Sequence, residues 1–194
     1  MRNFVNKMSI GEITMVYTES TPNPESMKFV VNRMVLPNDS IDFRKKELVK
    51  DSPLAEALFD YDFVDGVFVM NNFITITKKR DYQWFDIIPQ LKKFIKEYVE
   101  AEKPIKVNNQ NLTEEEETEV VSKIKKLLHD HVRPAVEMDG GAIDFKSFEN
   151  GIVTVLMKGA CSGCPSSTMT LKAGIENLLK RMVPEVEAVE SEAV

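Results

Sequence analysis

Hydrophobic and polar positions in the first hundred residues form short runs that predict strands. The β-branched or apolar runs cover Glu12 to Thr18, Met27 to Val35, Phe63 to Met70 and Phe73 to Thr77. The segment T-P-N-P, Thr21 to Pro24, separates the first two runs and predicts a rigid turn, because proline is excluded from central strands. Asn71 and Asn72 separate the last two runs and favour a tight hairpin, since asparagine tolerates the left-handed conformation.

Two apolar stripes at helical spacing accompany these strands. Pro53 opens the shorter stripe, at a position where its fixed φ suits a helix start. Pro89 lies in the first turn of the longer stripe, where its missing N–H costs little. The stripes comprise Leu54, Ala55, Leu58 and Phe59, and then Ile87, Ile88, Leu91, Phe94, Ile95, Tyr98 and Val99. This half therefore predicts a small α+β sandwich without a cluster of titratable residues.

The second half begins with one strongly amphipathic helix. Thr113 and Glu116 form a capping box at its start, and Pro134 is expected to end it. Its apolar face consists of Val120, Val121, Ile124, Leu127, Leu128 and Val132.

A hairpin follows, signalled by Asn150-Gly151, because a type I′ turn needs positive φ at both central residues. A two-residue loop would pair Glu149 with Ile152 and set Phe145 opposite Leu156. The flanking runs are Ala142 to Phe148 and Ile152 to Lys158.

A loop with two cysteines leads from this hairpin into a second helix. After that helix, a weak alternation of apolar and polar residues over Glu185 to Glu190 predicts a short third strand. Between the two halves, Ala101 to Asn111 reads A-E-K-P-I-K-V-N-N-Q-N and predicts a polar linker. The predicted fold class is α+β. It comprises two small α/β sandwich domains, residues 1–105 and 106–194, the second running helix, hairpin, C-x-x-C loop, helix and short strand.

Composition and charge exclude several classes of protein. The 194 residues are 43% hydrophobic and 29% charged, which is ordinary for globular proteins. The net charge of -6 has the wrong sign for broad nucleic-acid binding. No apolar run approaches the ~20 residues that cross a bilayer, and the first twenty residues lack the apolar stretch of a secretion signal. A soluble, cytoplasmic protein without membrane or nucleic-acid partners is expected.

Cys161 and Cys164 are the only cysteines and form a C-x-x-C motif between a predicted strand and a predicted helix. A helix N-terminus favours the thiolate, which is both a nucleophile and a metal ligand. Gly159 and Gly163 let the backbone bend closely around the motif, and Pro165 suits the first turn of the helix.

Four uses of this pair remain open. Inert packed cysteines are uncommon in a Gly-rich polar turn. A dithiol-disulfide oxidoreductase would use the same placement, but the chain after Cys164 is too short for the rest of a thioredoxin fold. Zinc and iron-sulfur sites take about four ligands, and one chain offers two thiols. His129 and His131 lie two positions apart on a helix and point to different faces, which predicts surface imidazoles and no joint site.

A second copy of the chain is the simplest source of two further thiolates, because a two-fold axis would double the ligand set. Such a site has little protein around it, so an exposed and transferable cluster is expected. A zinc-bridged structural dimer would share this symmetry and remains an alternative.

Several stretches of the chain carry a resemblance to a known family. R-P-A-V-E-M-D-G-G and K-G-A-C-S-G-C-P-S-S-T-M-T-L-K-A-G-I, within Arg133 to Val189, resemble the NifU C-terminal-like domain of the Nfu family of iron-sulfur cluster carriers. T-P-N-P-E-S-M-K-F and D-G-V-F-V-M-N-N-F-I-T-I-T, from Thr21 and from Asp65, resemble the Nfu N-terminal domain. Members often carry an acidic residue where this chain has Ala142.

The resemblance implies a non-enzymatic iron-sulfur cluster assembly protein. It implies a homodimer in which Cys161 and Cys164 of each protomer bridge one [4Fe-4S] cluster, received from an upstream scaffold and delivered to apo-proteins. No other ligand is carried over. A role of the N-terminal domain in recognising clients or restraining the cysteine domain follows by analogy alone. Four methionines at helical or strand spacing are expected to fill the core: Met138, Met157, Met169 and Met182.

Overall fold

A computed structural model describes residues 13–107, 118–162 and 165–193. In the first half, antiparallel strands form a sheet in the order β1-β2-β5-β4-β3. The predicted hairpin joins β4 to β5, and Asn71 has the expected positive φ of 48°. The strands are β1 (Val16–Ser20), β2 (Ser26–Val31), β3 (Leu36–Phe43), β4 (Val64–Asn71) and β5 (Phe73–Lys78).

Helices α1 (Pro53–Leu58) and α2 (Trp84–Glu100) pack on one face of this sheet and match the two predicted stripes. The hydroxyl of Ser52 caps α1 by accepting a hydrogen bond from the Ala55 amide at 3.3 Å. The fully buried side chains of this core include Phe29, Leu54, Leu58, Ile74, Leu91 and Ile95.

Strand β3 is not predicted by the sequence pattern, because Pro37, Asn38 and Asp39 resemble a turn. In the structure Asn38 has a φ of 58°, and the pairing with β4 shifts between Leu36 and Ser40. These residues therefore form a bulge in an edge strand, where a proline is tolerated.

The first helix of the second half continues past its predicted end. Helix α3 (Glu119–Leu127) passes through a π-helical turn (Leu128–Val132) into α4 (Arg133–Met138). The predicted stop at Pro134 is wrong, because this proline lies in the first turn of α4, where no N–H is needed. Thr118 caps α3 by accepting from the Val121 amide at 3.3 Å, whereas Thr113 and Glu116 lie outside the described residues.

Strands β6 (Gly141–Glu149) and β7 (Ile152–Gly159) form the predicted hairpin, with φ values of 50° at Asn150 and 79° at Gly151. Glu149 pairs with Ile152 as predicted. The predicted pairing of Phe145 with Leu156 is wrong, because the register shifts between Phe145 and Ser147 and places Phe145 opposite Val155. A bulge of this kind adds one residue to one strand, which counting outward from the turn does not anticipate.

Helix α5 (Pro165–Met182) follows the cysteine loop and returns the chain to β8 (Ala188–Ala193). Strand β8 pairs with β7 in parallel, so the sheet order is β6-β7-β8. A third strand is thus confirmed, but it begins and ends three residues later than the predicted range of Glu185 to Glu190. The Val189 amide donates to Glu176 Oε2 at 3.1 Å and ties the strand to α5.

The two sheets are in contact through the face of the first sheet that α1 and α2 leave open. Phe68, Met70 and Phe73 of this face form a buried cluster with Ala142 of β6. The fold class is α+β as predicted, with a separate apolar core on each side of this contact.

Candidate functional site

The loop around Cys161 leaves β7 at Gly159 and forms a short 3-10 turn, Ala160–Ser162, before α5. The Ser162 hydroxyl donates to the Gly159 carbonyl oxygen at 3.1 Å. The Thr168 hydroxyl donates to the Cys161 carbonyl oxygen at 3.0 Å, which joins the loop to the first turns of α5. Gly163 and Cys164 lie outside the described residues, so the predicted proximity of the two thiols stays a prediction.

The side chain of Cys161 is buried, with 3% of the residue exposed. It belongs to the apolar core of the second half, and a Cβ added at Gly141 would lie 3.0 Å from Cys161 Sγ. The sequence predicts an exposed cluster, whereas the Cys161 thiol that would bind it is buried in this conformation. The cause is tertiary, because the β6 backbone passes directly against the sulfur.

A cavity of about 550 Å³ lies beside Cys161, between the π-helical turn and α5. Its walls are mostly apolar, and His131 and Gly174 line it together with Cys161. Pro22, from the predicted T-P-N-P turn of the first half, also lines it. Residues of both the cysteine loop and the first half therefore line this cavity.

Asp42 of β3 and Arg44, just after this strand, bind Gly159, the residue at which the cysteine loop begins. Asp42 Oδ2 accepts a hydrogen bond from the Gly159 amide at 2.8 Å, and Arg44 Nη2 donates to the Gly159 carbonyl oxygen at 2.5 Å. Asp42 and Arg44 also pair with each other at 3.3 Å. Both polar groups of one peptide residue, two positions before Cys161, are therefore bound by side chains of the first half. We call this the Gly159 clamp.

A row of side chains across the first sheet extends this contact. Asp42, Phe68, Thr75 and Lys28 are register partners on β3, β4, β5 and β2, so they share one face. The Thr75 hydroxyl donates to the Gly140 carbonyl oxygen at 2.7 Å, and Lys28 Nζ donates to the Met138 carbonyl oxygen at 3.5 Å. The row therefore lies against the backbone around Gly140 as well as Gly159.

The Gly159 clamp contains two groups for which burial is unfavourable. Burial raises the pKa of Asp42, against the lowering effect of Arg44 and of the Gly159 amide. The Nε of Arg44 is buried, and no described residue pairs with it. Such a donor costs ~1–3 kcal/mol relative to a satisfied one.

Sequence reasoning missed Asp42 and Arg44, because they follow the unrecognised bulge of β3. The alternation of Ile41 and Phe43 around Asp42 was the one available strand signal.

The histidines behave as surface groups, as predicted. His129 is exposed and contacts the Asp130 carboxylate, Nδ1 to Oδ1, at 2.9 Å. His131 is exposed too. No group of three or more histidine, cysteine or acidic side chains within the described ranges is placed to hold a metal ion.

Three of the four methionines expected in the core are exposed. Met157 is buried, but the exposed fractions are 73% for Met138, 75% for Met169 and 41% for Met182. Met138 and Met182 are the last residues of α4 and α5, where the core no longer covers the helix. The periodic pattern alone did not reveal this. No helix in the described part of the chain has the length and apolar character needed to span a membrane.

Two family descriptions match the chain. Residues 16–102 match the family described as "Scaffold protein Nfu/NifU N terminal", and residues 124–190 match "NifU-like domain". The two matches fall on the two halves that the sequence pattern predicts.

Three similar proteins illustrate the relationship. The Arabidopsis thaliana "NifU-like protein 5, mitochondrial" is 40% identical over 91% of this chain and 67% of its own length. The human "NFU1 iron-sulfur cluster scaffold homolog, mitochondrial" is 40% identical over 90% of this chain and 70% of its own. Its Drosophila willistoni namesake is 42% identical over 93% of this chain and 65% of its own. The chain thus spans about two thirds of the length of these relatives.

The names of these relatives describe them as mitochondrial, so the expectation of a cytoplasmic protein is wrong. It relied on finding no apolar secretion signal. Mitochondrial import is directed by amphipathic, Arg-rich segments, which that criterion does not detect.

Proposed function

This chain belongs to the NifU-like (Nfu) family of iron-sulfur cluster scaffolds, and on that premise we propose that it carries a [4Fe-4S] cluster between two protomers and delivers it to apo-proteins. A role in iron-sulfur cluster assembly is common to its relatives, and the finer statements below are our proposal. Residues 1–105 and 106–194 act as an Nfu N-terminal-like domain and a cluster-binding domain.

The observation that carries this proposal is the number of thiols. A [4Fe-4S] cluster takes about four thiolate ligands, and the chain contains Cys161 and Cys164 alone. Two protomers related by a two-fold axis supply the full set. The exposed His129 and His131 are not required as ligands in this arrangement.

Delivery is a ligand exchange without change of oxidation state. A client thiol loses its proton, and its thiolate binds an iron atom in place of Cys161 or Cys164. The displaced sulfur leaves as a thiolate and takes up a proton. The cluster is cargo here, and the chain is not a catalyst of covalent chemistry.

Anaerobic reconstitution with iron and sulfide tests the proposal. We expect a brown dimer with about four irons per two chains, the number in one cubane cluster. Cys161→Ser and Cys164→Ser should each stay colourless, whereas His129→Ala, which removes a possible metal ligand outside the site, should bind a full cluster. A colourless wild-type monomer under reducing conditions would refute the proposal.

Two alternatives make different predictions. A dithiol-disulfide oxidoreductase would reduce insulin without metal and would lose that activity in Cys161→Ser. A zinc-bridged structural dimer would contain zinc and no iron when purified without oxygen. Elemental analysis of such material separates zinc from the cluster directly.

A further inference from the structure

We propose that Asp42 and Arg44 of the N-terminal domain are positioning residues that hold the Cys161 loop closed, so that access to the Cys161 thiol is coupled to release of the Gly159 clamp. The inference rests on the proposed function for its biological meaning. Its physical content, the accessibility of one thiol, can be measured without any cluster.

The geometry of the clamp restrains the loop at a single residue. Gly159 has a φ of 66°, and its amide and its carbonyl group are bound by Asp42 of β3 and by Arg44, just after β3, at 2.8 and 2.5 Å. Hydrogen bonds to charged groups are stronger than those between neutral groups. Because Cys161 lies only two residues after Gly159, in the turn that follows β7, holding Gly159 restrains the backbone that carries the sulfur.

The position of the sulfur explains why release would matter. Cys161 is 3% exposed, lies against Gly141 and borders the cavity that Pro22 helps to line. The N-terminal domain therefore contributes both the clamp behind the loop and one wall in front of the thiol. A cluster shared with a second chain needs a Cys161 sulfur that the partner's side can reach, and the residue is 3% exposed in this conformation.

The clamp also has features of a contact that can open. It buries a carboxylate, and the buried Arg44 Nε has no partner within the described residues. Buried polar groups that are incompletely satisfied weaken a closed state relative to an open, hydrated one. A contact designed only for stability would use apolar side chains, as Phe68 and Phe73 do elsewhere on the same face.

Alkylation of Cys161 by iodoacetamide tests the inference in the full-length apo chain. Cys164→Ser serves as the background, so that one thiol reacts. Adding Arg44→Met should raise the alkylation rate about tenfold to a hundredfold. Loss of one charge-assisted hydrogen bond shifts the equilibrium between the closed and the open loop by that factor. Adding Arg44→Lys, which keeps the charge but not the planar fork, should give a smaller rise and serves if Arg44→Met fails to fold.

Lys106→Met is the matched control. Lys106 Nζ pairs with Asp39 Oδ2 of β3 at 2.7 Å, an ion pair that includes none of the three residues of the Gly159 clamp. Lys106→Met should leave the alkylation rate of Cys161 unchanged at temperatures well below unfolding, even if it lowers the melting temperature. Equal rates with and without the Arg44 substitutions, or an equal rise in Lys106→Met, would overturn the inference. Failure of the wild type to bind iron would instead overturn the proposed function and leave the alkylation result standing.

Discussion

The hydroxyl of Thr75 donates a hydrogen bond to the carbonyl oxygen of Gly140 at 2.7 Å, and this bond joins the middle of the first sheet to the residue that precedes β6. Thr75 is 1% exposed, so the bond is shielded from water. The same carbonyl accepts from the Ala160 amide, the residue before Cys161, at 3.2 Å. One buried hydroxyl of the N-terminal domain thus binds the same carbonyl oxygen as the first residue of the cysteine loop.

Replacing Thr75 by valine removes the donor while keeping the shape. We expect the free energy of unfolding to fall by about 1 kcal/mol, the typical net worth of one hydrogen bond. Urea denaturation measures this. Thr154→Val makes the same chemical change on β7 away from Gly140, and a loss equal to that of Thr75→Val would contradict the assignment.

Gly159 should not tolerate a side chain. A Cβ there would lie 2.6 Å from the Gly140 carbonyl oxygen and 2.8 Å from Phe68 Cδ1, and the positive φ adds strain. We expect Gly159→Ala to cost at least ~2 kcal/mol.

Gly174 of α5 provides the comparison, because a Cβ there meets no atom within 4 Å. Gly174→Ala should stabilise the chain by up to ~1 kcal/mol through helix propensity. Thermal unfolding of both variants checks the pair, and equal shifts would be inconsistent with the packing described.

The two cysteines should differ in their effect on stability. Cys161→Ala removes a buried sulfur from the core and should cost about 1 kcal/mol, whereas Cys164→Ala should leave a cooperative unfolding transition. Both should abolish cluster binding after anaerobic reconstitution. Loss of cooperativity in apo Cys164→Ala would show that this cysteine also supports the fold.

Asp42 should give a pH dependence of unusual sign. Burial raises the pKa of Asp42 above its ordinary value of 3.8, so the folded chain retains this proton where the unfolded chain has released it. Its contribution to the free energy of unfolding is therefore greatest below pH 3.8 and declines as the pH rises through the folded-state pKa. The free energy of wild type minus that of Asp42→Asn should fall over this window in urea titrations and then become flat.

Asp130 gives the opposite case for the same measurement. The hydrogen bond from His129 lowers the pKa of Asp130, so its contribution is present above pH 3.8 and is lost as the pH falls through the folded-state pKa. The free energy of unfolding of the wild type minus that of Asp130→Asn should thus rise with pH over that window. Curves of the same sign for both aspartates would refute this account of Asp42.

The local sequence pattern predicted the structure correctly where the structure depends on neighbouring residues alone. The Asn150-Gly151 turn, the start of α1 at Pro53 and the stripe of α2 follow from backbone preference and helical spacing, and all three are present. The pattern failed at the bulge of β3 and at the register of Phe145, because an extra residue in a strand leaves no distinct mark in the order of apolar positions.

The sequence by itself determined most of the helices and strands and the α+β class, since these depend on neighbours along the chain. That Cys161 and Cys164 form the chemical centre stays a prediction from the sequence. The tertiary structure decided that Cys161 is buried and that Asp42 and Arg44 hold Gly159. Strand register across four strands and the docking of one sheet on another bring these residues together. Contacts between residues more than a hundred positions apart arise from that packing, and no local pattern of residues encodes them.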